Sequence, residues 1–103
     1  MLVVTTDVIP GHGIEVVGLV RGNVAYAKNI GRDLMAGLKN IAGGEIKSYT
    51  DMVNEARDIA ERRMEQQAEA LGANAVVAAR FQTCAVADGT IEVVAYGTAV
   101  RLL

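Results

Sequence analysis

Hydrophobic and polar positions change period twice along the chain. Leu2 to Thr6 is β-branched and predicts a short strand, and Pro10-Gly11-His12-Gly13 then predicts a turn. Ile14 to Asn29 is strand-like again, with Val16, Val17, Leu19, Val20, Val24 and Tyr26, but Gly18 and Gly22 interrupt it. Arg21-Gly22-Asn23 reads either as a hairpin turn between two strands or as a bulge in one strongly bent strand. From Ile30 to Ile41 the period becomes helical: Leu34, Leu38 and Ile41 recur at i, i+4 and i+7 beside Met35, and Gly43-Gly44 supplies a stop. Thr50 to Leu71 contains no Gly or Pro and carries one apolar stripe, Val53, Ala56, Ala60, Met64, Ala68 and Leu71. Ser48 and Asp51 have capping-box spacing, Asp51 and Glu55 suit the positive end of the helix dipole, and Gly72 suits a stop. Ala73 to Val86 and Thr90 to Leu102 read as strands joined by an Asp88-Gly89 hairpin. Strands segregate from helices, which predicts an α+β fold with a mainly antiparallel sheet, one short helix and one long one.

The strand pattern has a consequence for assembly. In the third strand region Ala73, Ala75, Val77, Ala79 and Phe81 share one face, and Asn74, Val76, Ala78, Arg80, Gln82 and Cys84 the other. In the last strand Ile91, Val93, Ala95 and Ala99 oppose Val94, Tyr96, Val100 and Leu102. A sheet with one wet face shows cleaner apolar/polar alternation. The helices cover one face, and the rest of the sequence offers nothing to cover the other. The expectation is that the second face, or an exposed sheet edge, is buried by copies of the same chain.

At 103 residues the chain fits a single domain, residues 1–103. With 51% hydrophobic and 21% charged residues it is not a disordered chain. Lys+Arg is 10 against Asp+Glu 12, with the signs mixed, which disfavours a nucleic-acid partner. No apolar run approaches the ~20 residues that span a bilayer, so no membrane partner is expected. The opening Met1-Leu2-Val3-Val4-Thr5-Thr6-Asp7 lacks the basic start of a signal peptide. Cys84 is the one cysteine; it excludes an internal disulfide framework and suits a reducing, cytoplasmic compartment.

Several phrases carry a family resemblance. They are Thr5-Thr6, the Gly18-x-Val20-x-Gly22 run, Asn29-Ile30-x-Arg32-Asp33-Leu34-x-Ala36-Gly37 and Gly43-Gly44. Further on come Tyr49, Ala70-Leu71-Gly72-Ala73-x-Ala75-Val76-Val77 and the closing Tyr96-Gly97-Thr98-Ala99-Val100. Together they resemble the YbjQ-like family, which has no established activity and carries a provisional heavy-metal-binding description. The resemblance implies a dodecin-like α+β subunit and a ring-shaped homopentamer. The family often has an acidic residue where this chain has Asn23, which weakens an acidic cation site there. No ligand set for a metal can be carried over.

Candidate chemistry is sparse. His12, in its turn, reads as a mobile metal ligand or a pH-sensing imidazole, or simply as a polar turn residue; five copies near a symmetry axis would form a ring. Cys84 serves a soft metal only if subunits converge, and otherwise reads as a half-buried small residue. Arg32 and Asp33, at the start of the short helix, read as an ion site at a subunit junction or as a structural pair. Tyr49 belongs with them as a candidate lining residue of a pocket between subunits. Gly43-Gly44-Glu45 neither follows a strand nor ends in Gly-Lys-Ser/Thr, so it is not a phosphate loop. The long helix's charges read as a solvated face with pairs such as Asp58–Arg62. There is no triad, no HExxH, and a single His to act as a base, so no catalytic residue and no cofactor is assigned. Three functions stay open: a homo-oligomeric binding or structural protein that holds a small ligand or ion, a heavy-metal binder with intersubunit sites, and an enzyme whose site is shared between subunits.

Overall fold

The computed structural model describes residues 1–27, 47–87 and 89–103. The short helix expected over Ile30–Ile41, its Gly43-Gly44 stop, and Asp88 of the hairpin lie outside these described residues.

The described chain runs β1 (Leu2–Val3), β2 (Ile14–Ala27), α1 (Lys47–Ala70), β3 (Ala75–Ala87) and β4 (Thr90–Leu102). The four strands form one sheet in the order β1-β3-β4-β2. β4 pairs antiparallel with both β2 and β3, and β1 adds a short parallel pairing to β3, so the sheet is mixed. The α+β class with mainly antiparallel pairing follows the sequence expectation.

Ile14 to Ala27 is one continuous strand, and no hairpin forms at Arg21-Gly22-Asn23. Its register slips between Val16 and Gly18 instead. Gly22 serves another purpose. A Cβ there would collide with the Ala60 carbonyl oxygen and the Met64 backbone nitrogen, so α1 rests its backbone directly on the strand. Buried alanines at 56, 60 and 68 permit the same close approach along the helix.

α1 is 24 residues long, roughly 36 Å, and starts three residues earlier than the sequence suggests. Lys47-Ser48-Tyr49 contains nothing that breaks a helix. Ser48 is therefore the second residue of α1, and no acidic residue falls in the first turn. The C-terminus behaves as expected. Gly72 takes φ +83°, its N–H donates to Glu69 O (2.9 Å), and Ala73 N–H donates to Ala68 O (3.0 Å). These two bonds form a Schellman cap. The buried stripe is Met52, Ala56, Ala60, Met64 and Ala68. Met52 rather than Val53 heads the stripe; Val53 is only half-buried, and Leu71, beyond the last helical turn, is exposed.

The main core lies between α1 and the sheet: Val20 and Val24 from β2, the α1 stripe, Val76 and Ala79 from β3, and Ile91, Val93, Ala95 and Ala99 from β4. Met52 and Met64 are almost fully buried there, each contributing about 1.5–3 kcal/mol. A second cluster, Ala75, Val77 and Val100, occupies the opposite face at one end of the sheet. Val4, Ile9, Ile14 and Leu102 pack over it.

These packings correct two expectations. First, β3 does not keep one alternation throughout. Ala78 takes φ +53°, and the register with β4 slips between Val77 and Arg80. Ala75 and Val77 therefore face away from α1, whereas Ala79 joins the helix-side core and Phe81 aligns with helix-side Ala95. A bulge inserts one residue and reverses every later side chain. Second, the N-terminal segment does cover part of the second face. Beyond Val3 it stays bound to β3: Val4 N–H donates to Val76 O (2.9 Å), Ala78 N–H to Thr6 O (2.8 Å) and Ala79 N–H to Val4 O (3.0 Å). Arg80 Nη1 donates to Thr5 O at 2.9 Å and holds the segment down.

Candidate functional site

Register places the candidate residues before any chemistry is considered. α1 runs antiparallel to β2. Near its start Tyr26 bonds Glu55, in its middle Arg63 Nη1 donates to Asn23 O (2.8 Å), and farther along Gln67 Oε1 accepts from Arg21 N–H (2.7 Å). The first turn of α1 therefore lies at the β3–β4 hairpin end of the sheet.

His12 is at the other end. Its exposed turn is closed by its own N–H donating to Ile9 O (3.1 Å), and its ring Nδ1 lies 3.4 Å from Leu103 O. Cys84 is exposed on β3 opposite Glu92, and its Sγ–H donates to Ala85 O at 3.6 Å. From Glu92 to Leu102, which pairs with Ile14 beside the His12 turn, β4 takes ten steps of ~3.3 Å, roughly 33 Å. His12 and Cys84 therefore cannot ligate one ion within a chain. Tyr49 is 40% exposed in the first turn of α1, at the end far from His12. Arg32 and Asp33 lie outside the described residues. No three His, Cys, Asp or Glu side chains converge on a possible metal position among the described residues.

The face turned away from α1 carries exposed apolar side chains among the described residues. Leu19 is 70% exposed and Val16 66%; Tyr96, 38% exposed, lies between Arg21 on β2 and Arg80 on β3. Gln82, Val94 and Asn23 form the next row across the strands, and Cys84, Glu92 and Ala25 the one after. Apolar and polar side chains thus alternate on this surface, which is less uniformly apolar than the sequence suggests.

Four contacts escaped the sequence reading. Tyr26 donates to the Glu55 carboxylate, and that bond, with smaller effects of desolvation and the Glu55 charge, raises the phenol's pKa above its usual value of 10.0. Arg63 and Gln67, an i,i+4 pair among residues read as a solvated face, bind β2 backbone instead. Their spacing alone gives no hint of this, because polar residues at i,i+4 occur on any wet helix face. The ion pair found among the described residues is Glu15–Arg101 at 3.4 Å, across β2 and β4, and not Asp58–Arg62.

Whole-chain comparison agrees with the phrases quoted above. The YbjQ family model, described as "Putative heavy-metal-binding", matches residues 1–103. The chain belongs to the YbjQ family. A UPF0145 protein of Vibrio parahaemolyticus is 58% identical over 104 residues, covering 100% of this chain and 99% of the relative. A UPF0145 protein of Clostridium novyi is 48% identical, with 100% of both chains covered. These YbjQ-family relatives carry no enzymatic name. A solved structure from Pediococcus pentosaceus, a protein of unknown function in the DUF74 family, matches with a TM-score of 0.71 at 17% identity. It covers 100% of this chain and 98% of that one, and shows a shared fold. In this YbjQ-family chain no described helix is long and apolar enough to cross a membrane.

Proposed function

We propose that this YbjQ-family chain is a cytoplasmic homo-oligomer, a ring of five copies, that works as a binding or structural protein rather than as an enzyme. The observation that carries the reading is the exposure of Val16, Leu19 and Tyr96 on the sheet face opposite α1. Apolar side chains grouped on one face are the usual mark of a partner surface, and closed rings are the default for identical chains. The number five rests on the family resemblance. In such a ring the junctions between copies hold a small ligand or ion, and Arg32, Asp33, Tyr49 and His12 are the residues to substitute first. Light scattering at micromolar concentration tests the assembly. The expected mass is about five times 10.9 kDa, and a mass near that of one chain overturns the proposal.

A second reading, heavy-metal binding at intersubunit sites, is supported by the family description. The distance between His12 and Cys84 keeps the two from sharing an ion within one chain, and a ring of His12 side chains from several copies is the arrangement this reading proposes. Equilibrium dialysis against Zn²⁺, Cu²⁺ and Ni²⁺ tests it. His12→Ala or Cys84→Ala is expected to lower uptake. Unchanged uptake removes those residues as ligands, and affinity no better than millimolar removes the reading.

A further inference from the structure

We infer that Arg63 and Gln67 close the outer edge of β2 to strand addition, so that the sheet is guarded by its own helix along that side. Among the described strands β2 is an edge of the sheet, and at 14 residues it is long enough to template another strand. In an antiparallel pair, residues alternate between bonding the partner strand and pointing their N–H and C=O outward. Arg21 N–H goes to Gln67, so Arg21 is an outward residue, and alternation makes Leu19, Asn23 and Ala25 outward as well. The Asn23 carbonyl, held by Arg63 Nη1, agrees with this. One turn of α1 thus takes an outward donor and an outward acceptor two residues apart in the middle of the strand.

The close seat of the helix makes the reach possible. With Gly22 against the Ala60–Met64 backbone, side chains at 63 and 67 extend around the strand rather than over it. A neighbouring strand would have to displace both side chains and match their bonds, one of them from a charged guanidinium, which is the stronger kind. Past Ala79, β3 has no comparable guard from another element: among the described residues the side-chain bond to its outward backbone from Phe81 to Val86 is the local one from Cys84 Sγ–H to the next residue's carbonyl, Ala85 O (3.6 Å). The two edges of the sheet are therefore not equivalent. The guard does not depend on the ring.

Amide exchange by NMR on the unsubstituted protein is the first test. Arg21 N–H should exchange ~10-fold or more slowly than Leu19 and Ala25 N–H, the size expected of one good hydrogen bond. Equal exchange at the three positions, fast or slow, overturns the inference. Gln67→Ala should speed Arg21 exchange by a similar factor, whereas Gln67→Glu, which keeps an acceptor, should not. No change with Gln67→Ala also overturns it. In the Arg63→Ala/Gln67→Ala double variant, light scattering should show species at least twice the parent mass that grow with concentration. The Arg63→Lys/Gln67→Glu variant should keep the parent mass. If the double Ala variant folds and stays at the parent mass, the guard is not what limits association. If it fails to fold, the wild-type exchange pattern and the Gln67 pair of variants decide.

Discussion

The two faces of the sheet are built on different terms. Towards α1, small residues bring backbones together: Gly22 meets the helix main chain, and Ala56, Ala60, Ala95 and Ala99 leave room for Met52 and Met64 between the layers. On the other face the N-terminal segment closes one end around Ala75, Val77 and Val100, while Leu19 and Tyr96 remain exposed. One face is sealed by close packing within the chain. Among the described residues, the other is covered where a short strap reaches. The difference teaches that apolar content alone does not define a core, because burial follows whichever element is long enough to lie on the surface.

Substitutions can break this contrast, and Gly22→Val should have the largest effect. A branched side chain has no space against the helix backbone, so a loss of about 3 kcal/mol or more is expected in urea unfolding, at the upper end for overpacking. Met64→Ala opens a cavity in the same layer and should cost about 2–5 kcal/mol. On the other face, Leu19→Ala should change the stability of the folded subunit by less than about 0.5 kcal/mol. If copies cover that face, the same variant should lower the melting temperature in a concentration-dependent way. A large loss that is independent of concentration would mean the open face is core after all.

Effects smaller than those expected at Gly22 and Met64 sharpen the picture. Arg80→Ala removes the charged donor that ties Thr5 to β3, and should cost about 1.5–3 kcal/mol. Limited proteolysis should then cut first between Val4 and Ile14. Ala78→Gly relieves a left-handed backbone at the bulge and should stabilise by up to ~1 kcal/mol, read as a higher urea midpoint.

The smallest expected effect is on pH dependence. The Tyr26 phenol is held protonated by its bond to Glu55, so its folded pKa lies above the unfolded one. Its contribution is fully present below pH ~10 and is lost as pH rises through the higher folded value. Wild type should therefore lose melting temperature faster than Tyr26→Phe above pH 10. Parallel curves would show that the pair does not matter to folding.

Much of the architecture was legible from local chemistry. The long helix, its Gly72 stop, the β3–β4 hairpin and the span of β4 follow from period and turn residues, which act within a few positions of themselves. The family, too, could be read from the phrases around Arg32-Asp33-Leu34 and Gly97-Thr98-Ala99-Val100. The site was much less legible. His12 and Cys84 are separate candidate ligands in the sequence, and their distance apart is set by strand pairing.

Sequence by itself determined where backbone should coil or extend, because propensity and alternation are properties of neighbouring residues. Only the tertiary structure decided what Gly22 is for, since its tight contact lies 38 positions away at Ala60. The same holds for the slip at Ala78, which exchanges the faces of β3, and for the bonds that turn Arg63 and Gln67 from surface residues into guards of an edge. These outcomes depend on which segments meet in space, and a one-residue change in register reassigns every side chain that follows it.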